Sequence, residues 1–110
     1  MATFYLVQND KNITMTATLK DANGPIDLTD AVVTFHMGYE GDPTNVLVEG
    51  NCTITDAENG EVTYSWTAED TNLEAAEYAA EFQIAWGSTT IRTIPSRSGG
   101  FKVVVRGEVG

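Results

Sequence analysis

The chain has 110 residues, of which 42% are hydrophobic and 20% are charged, as in an ordinary globular domain. Sixteen acidic residues against six basic ones give a formal net charge of −10, which predicts that the protein binds neither nucleic acid nor an anionic membrane surface. No stretch approaches the ~18 apolar residues of a membrane-spanning helix, and the first residues show no secretory signal.

Strict alternation of apolar and polar residues recurs along the chain and predicts β-strands. It begins at residues 13–20, where Ile13, Met15, Ala17 and Leu19 alternate with three threonines and a lysine. Because successive side chains of a strand point to opposite faces, each such run places one apolar row on a buried face. Four further runs have these apolar members: Val33, Phe35 and Met37; Val62, Tyr64 and Trp66; Tyr78, Ala80, Phe82, Ile84 and Trp86; Phe101, Val103 and Val105. Shorter apolar or β-branched runs at residues 4–7, 46–48, 52–55 and 89–94 predict additional strands.

The segments between these runs are rich in residues that favour turns. They lie at 21–25, 38–45, 56–60 and 96–100 and contain Gly, Asn, Asp and Pro. Asn-Gly supplies the positive φ that a tight turn needs, and Pro removes a donor from the sheet. Short strands with this punctuation are typical of an all-β sandwich or barrel.

One segment, residues 67–76, departs from the strand pattern. Thr67 and Asp70 have the spacing of a helix-capping pair, so the segment predicts a helical turn that is too short to be an independent helix. It would cross from one sheet to the other and end at Tyr78, which has the position of the tyrosine corner in immunoglobulin-like sandwiches. We therefore predict a single domain over residues 1–110. Its expected fold is an immunoglobulin-like antiparallel β-sandwich of seven to nine strands with one short helical crossover.

Charge is distributed unevenly along the sequence. Residues 1–81 hold 15 acidic and 2 basic residues, whereas residues 82–110 hold 1 acidic and 4 basic residues. One interpretation is that the bases pair with acids on neighbouring strands of the same chain. The other is a basic band that docks on acidic residues of a second subunit, such as Glu69, Asp70 and Glu74.

The last predicted strand is the candidate protein interface. Val104 shares a strand face with Lys102 and Arg106, and a terminal strand is a plausible sheet edge that can accept a partner strand. The predicted interface residues are Arg92, Arg97, Phe101, Lys102, Val104 and Arg106.

Catalytic and metal-binding patterns are not evident in the sequence. The single cysteine, Cys52, excludes an intrachain disulfide and predicts a buried, inert thiol. The single histidine, His36, leaves a zinc site short of ligands and has no nucleophile motif beside it. The acidic clusters fall in predicted turns and do not match a calcium-binding loop, although calcium held by separate loops stays open as an alternative. We predict a protein without enzymatic activity, metal or cofactor.

Three segments resemble one known family in the order in which they occur. They are Asp21-x-x-Gly24-Pro25-x-Asp27-Leu28-Thr29, Gly60-x-Val62-x-Tyr64-x-Trp66-Thr67 and Tyr78-x-x-Glu81-Phe82. Together they resemble the immunoglobulin-like N-terminal domain of tailed-phage baseplate upper proteins. The resemblance implies a non-enzymatic structural protein of the virion, in the tail, baseplate, neck or capsid surface, made in the cytoplasm of the bacterial host. Its partners would be other virion proteins and further copies of itself.

An alternative function is a carbohydrate-binding or adhesion module that recognises a cell surface. Such a module needs exposed aromatic side chains in a groove. Trp66 and Trp86 lie on the apolar faces of their predicted strands, so core packing is the better interpretation for both. Tyr39 is the candidate exposed aromatic residue.

Overall fold

The part of the chain that the structure describes forms eleven β-strands and one short helix. The computed structural model describes residues 2–8, 13–39, 46–87, 90–94 and 101–107. The elements are β1 Ala2–Val7, β2 Thr14–Thr18, β3 Lys20–Asp21, β4 Gly24–Pro25, β5 Ala31–Tyr39, β6 Val46–Asn51, β7 Thr53–Asp56, β8 Glu61–Ser65, α1 Ala68–Thr71, β9 Ala76–Trp86, β10 Thr90–Ile94 and β11 Phe101–Arg106. Nine strands have four or more residues, in agreement with the expected seven to nine, and β3 and β4 add a two-residue ribbon.

In the described residues, two main sheets accompany the small β3–β4 ribbon. The larger, which we name sheet A, has the order β1-β11-β9-β5-β6, and β10 also pairs with β9. The smaller, sheet B, has the order β2-β8-β7. Adjacent strands are antiparallel except β1 and β11, which run parallel with Ala2 opposite Phe101 and Val7 opposite Arg106. Sheet A is therefore mixed, whereas the alternation in the sequence predicts an antiparallel sandwich.

The hydrophobic core fills the space between the two sheets. Four of the aromatic residues on the apolar faces of their strands, Phe35, Trp66, Tyr78 and Phe82, are buried, which confirms the predicted facing of those strands. Phe35 of sheet A is 4.7 Å from Tyr64 of sheet B, measured between ring centroids. Aromatic pairs at such distances stabilise a core beyond the area that they bury, so these rings help to hold the two sheets together.

The predicted helical crossover is present and is tied down at both ends. The Asp70 backbone N–H donates to Thr67 Oγ1 at 3.1 Å, and the Thr67 N–H donates to Asp70 Oδ2 at 3.0 Å, which is a reciprocal capping box. The Tyr78 hydroxyl then donates to the Glu74 carbonyl at 2.6 Å. This is the tyrosine-corner geometry expected from the position of Tyr78, and it fixes where the chain enters sheet A.

The turn before β8 depends on a glycine. Gly60 has φ +69°, and a Cβ atom there would lie 2.6 Å from the Leu19 carbonyl oxygen and 2.8 Å from the Ile26 carbonyl oxygen. The close approach exists because Leu19 N donates to the Gly60 carbonyl at 2.8 Å. The turn therefore needs a residue without a side chain. The turn predicted at 38–45 starts later than expected, since β5 continues to Tyr39, and residues 40–45 lie outside the described part of the chain.

Candidate interaction surface

The outward face of sheet A at β1 and β11 carries apolar and basic side chains side by side. In β11, Val103 and Val105 are buried, so Lys102, Val104 and Arg106 point away from the core. Tyr5 lies opposite Val104, and Val7 lies opposite Arg106. We call these five residues, Tyr5, Val7, Lys102, Val104 and Arg106, the outer strip.

Contacts within the outer strip hold its side chains over the sheet. The Arg106 guanidinium lies 5.2 Å from the centre of the Tyr5 ring, which is the distance of a cation–π contact. Tyr5 is nevertheless 58% exposed. Lys102 Nζ lies 3.4 Å from Glu77 Oε1 on β9. The strip therefore presents an exposed aromatic ring between two basic side chains, of which Lys102 is paired within the chain.

Arg92 does not belong to this surface, contrary to the expectation of a single basic band. It lies opposite Ile84, a buried residue, so its side chain leaves the other face of sheet A. There Arg92 Nη1 lies 3.3 Å from Asp21 Oδ2. The Asn23 backbone N–H and then Arg92 lower the pKa of Asp21. For Arg92 the structure thus shows intrachain pairing, the first of the two interpretations of the basic segment.

The prediction that β11 is a sheet edge is wrong. β11 pairs with β1 on one side and with β9 on the other, so its backbone groups are used on both sides. A strand near a chain terminus is a natural candidate for an edge, but here the N-terminal strand adds beside it. Arg97 lies outside the described residues, and of Phe101 the structure describes the backbone, in β11.

The acids proposed as docking partners have structural roles of their own. Asp70 Oδ2 accepts hydrogen bonds from Thr67 N and from the Tyr64 hydroxyl, the latter at 2.5 Å. Burial, followed by the bond to Asp70, raises the pKa of Tyr64. The Glu74 carbonyl accepts the Tyr78 hydroxyl, while the Glu69 side chain lies outside the described residues. Asp70 therefore serves the crossover rather than offering a free carboxylate to a partner.

Several members of the exposed surface are missed by reasoning from the sequence. Tyr5 and Val7 belong to a short apolar run, and the identity of their neighbour strand is needed to place them beside β11. Val32 and Ile91 are missed as well: both are 59% exposed and both lie opposite Ala85, on the outward face of sheet A. The exposure of Val32 and Ile91 could have been predicted from the alternation of side chains along a strand, because each residue points to the face opposite the buried residues of its strand.

The remaining candidate residues are engaged in the fold. His36 Nδ1 lies 3.1 Å from Glu49 Oε2, and His36 Nε2 lies 3.0 Å from Thr34 Oγ1. Burial raises the pKa of the Cys52 thiol to about 12, so the thiol is unreactive near neutral pH. Tyr39 is 38% exposed and packs on Tyr78, with ring centroids 5.5 Å apart.

Two further kinds of site are absent from the described parts of the chain. In those ranges no three side chains of His, Cys, Asp or Glu converge as they would around a metal ion. Across the same residues, no helix has the length and apolar character needed to cross a membrane.

Comparison with known proteins identifies the family. No curated protein matches the sequence significantly. Among solved structures, the fold is similar to the N-terminal domain of phage TP901-1 ORF48, with a TM-score of 0.58 and 17% identity over 96% of this chain and 99% of that one. It is also similar to CopC from Methylosinus trichosporium OB3b, with a TM-score of 0.51 and 12% identity over 100% of this chain and 89% of that one. At such identities the two likenesses show the fold alone. The family described as the BppU N-terminal domain matches residues 3–106, so the chain belongs to this family of baseplate upper protein N-terminal domains.

Proposed function

We propose that the protein is a non-enzymatic structural component of a tailed-phage virion, at the baseplate, and that it acts through contacts with other virion proteins. The observation that carries the proposal is the family match over residues 3–106. The likeness to the N-terminal domain of phage TP901-1 ORF48 supports the same assignment at the level of the fold. In this role the domain would be one part of a larger protein assembly.

The outer strip has the chemistry of a protein-binding surface. Tyrosine and arginine are enriched in the centres of protein interfaces, where an aromatic ring supplies area and a guanidinium supplies directed hydrogen bonds. Tyr5 and Arg106 stand together on the outward face of sheet A and are held there by their own contact. Because Arg106 already holds the Tyr5 ring in place, a partner that buries the ring would lose little side-chain entropy on binding.

The charge distribution fits the same role. The acidic body of the domain, within a net charge of −10, keeps free subunits soluble before assembly. The basic side chains of the outer strip then direct a partner with an acidic surface to this face, because unlike charges steer encounter and set orientation.

The experiment that tests this role compares two charge reversals in particles. Arg106→Glu changes the outer strip, whereas Arg92→Glu changes the opposite face by the same charge. We expect Arg106→Glu to lower the copy number of the protein in purified virions at least threefold, measured by quantitative mass spectrometry. Arg92→Glu should incorporate normally and should lower the melting temperature slightly, because it breaks the contact with Asp21.

Two results would contradict the proposal. The first is a wild-type protein that is absent from purified virions. The second is an Arg106→Glu variant that folds, by circular dichroism, and incorporates as well as Arg92→Glu. A glycan-array screen addresses the carbohydrate alternative, for which Tyr39 offers a weak platform because its ring already packs on Tyr78.

A further inference from the structure

Sheet A ends in two strands of different chemistry. In the described part of the chain, β1 and β6 each have a strand partner on one side, β11 and β5 respectively. β1 has the sequence ATFYLV, with no charge, no proline and no glycine. Natural edge strands are usually guarded by a charged residue, a proline or a bulge. β6 follows that rule, since it contains Glu49 and its pairing with β5 shifts register at Met37 and Gly38.

The backbone of β1 is oriented to accept another strand. The Gln8 N–H donates to the Arg106 carbonyl at 2.8 Å, toward β11. Backbone groups alternate sides along a strand, so those of Phe4 and Leu6 also face β11, and those of Thr3 and Tyr5 face the opposite side. An edge with outward backbone groups and no charged guard is a template for strand pairing.

The two edges differ in charge on the outward face. Arg106 projects from this face beside β1. Glu49 projects from the same face on β6, opposite His36, and its side chain is 64% exposed. Two β1 edges brought together would place basic side chains near each other, and two β6 edges would do the same with acidic ones. A β1 edge facing a β6 edge is the combination that brings unlike charges together.

We propose that the β1 edge of one copy pairs with the β6 edge of a second copy, so that sheet A continues across the two molecules. This inference deepens the proposed function and rests on it, because it names one of the partners. The contact joins two different surfaces and is therefore heterologous: it closes into a ring or extends into an array according to its rotation. Glu49 disfavours pairing of two β6 edges, because two acidic side chains would meet, but it favours pairing of β6 with the basic β1 edge.

The test is self-association of the purified chain, measured by analytical ultracentrifugation over a concentration series. We expect wild-type protein to associate, and Arg106→Glu and Glu49→Arg each to weaken that association about tenfold, because each reversal replaces an attraction between the two edges with a repulsion. An equimolar mixture of the two variants should recover association, because the reversed charge of one variant then meets the reversed charge of the other. Lys20→Glu, an equal charge change on β3 at an exposed position, is the matched control and should associate like wild type.

A backbone variant separates strand pairing from charge alone. Thr3→Pro removes an N–H that faces away from β11 and should abolish association, while Thr3→Val should preserve it. Circular dichroism melts establish that each variant is folded. If Thr3→Pro is unfolded, the charge-swap mixture decides the question without it.

Several outcomes overturn the inference. These are a wild-type chain that stays monomeric at the highest concentration reached, a charge-swap mixture that does not recover, or a Lys20→Glu variant that loses association as strongly as Arg106→Glu. The proposed function is judged separately by virion incorporation. A chain that enters virions but never self-associates would refute edge pairing between copies and leave the structural role intact.

Discussion

The outward faces of the two sheets are unlike. On sheet B every outward residue is polar, the set being Thr14, Thr16, Thr18, Thr53, Thr55, Glu61, Thr63 and Ser65. Neighbouring threonines there form hydrogen bonds with each other, as Thr16 Oγ1 and Thr63 Oγ1 do at 3.0 Å. On sheet A the outward face instead carries exposed apolar residues in two places, Tyr5 and Val7 on β1, and Val32 and Ile91 on β5 and β10.

The difference supports the outward face of sheet A as the surface for the proposed contacts with partners. A sheet with one solvated face normally shows apolar residues inside and polar residues outside, as sheet B does. Contiguous exposed apolar residues are a feature of protein interaction sites, so the outward face of sheet A agrees with the proposed role. The inward faces of the two sheets, by contrast, are alike, since both contribute to one hydrophobic core.

The largest effect should come from the inward face of sheet A. Phe82→Ala should lower the free energy of unfolding by about 3–5 kcal/mol, because it leaves a cavity beside Phe35, whose ring centroid is 5.3 Å away. The urea midpoint measures the change. Glu81→Ala, the next residue on the outward face, should change stability by less than about 0.5 kcal/mol. Similar midpoints for the two variants would show that the facing of β9 is wrong.

Turns in the two sheets should respond differently to the same substitution. Gly60→Ala, before β8 of sheet B, should cost about 2–3 kcal/mol, because the new Cβ meets two carbonyl oxygens as well as an unfavourable φ. Gly87→Ala, after β9 of sheet A, has φ +64° and open space around the Cβ, so it should cost about 1 kcal/mol. Thermal melts of the two variants measure the difference in stability between them. Equal losses of stability would contradict the close approach of the carbonyl oxygens to Gly60.

The smallest effect should come from the outward apolar residues of sheet A. Val32→Thr and Ile91→Thr should each change stability by less than about 0.5 kcal/mol, because both side chains are already 59% exposed. Val62→Thr, the same kind of change at a fully buried position of sheet B, should cost about 1–3 kcal/mol. Urea unfolding compares them. A large loss of stability on substitution of Val32 or Ile91 would mean that these side chains stabilise the folded domain and are not free for an interface.

Much of the local structure could be predicted because it depends on neighbours in sequence. The facing of β5, β8 and β9 follows from period-two alternation, which a sheet with one buried face must obey. The capping pair of Thr67 and Asp70 and the corner at Tyr78 span three or four residues each, so their spacing is visible directly.

The surface could not be predicted in the same way, because it depends on which strands become neighbours. Arg92 and Arg106 look alike in the sequence, yet the pairing of β10 and of β11 with the same strand, β9, sends them to opposite faces. Likewise, the position of β11 inside the sheet is set by β1, which is distant along the chain. The order of strands in a sheet depends on residues far apart in the sequence, so the alternation of side chains within one strand does not reveal it.

The parallel pairing of β1 with β11 also determines how the domain carries mechanical load. Parallel strands run in the same direction, so a pull on the start of β1 and on the end of β11 acts along the strands and in opposite senses. Such a pull shears the six paired positions together instead of opening them one after another. The pair therefore loads its hydrogen bonds together, which resists extension more than opening them one at a time. A domain held between neighbours at these two strands would transmit tension across its sheet before it unfolds.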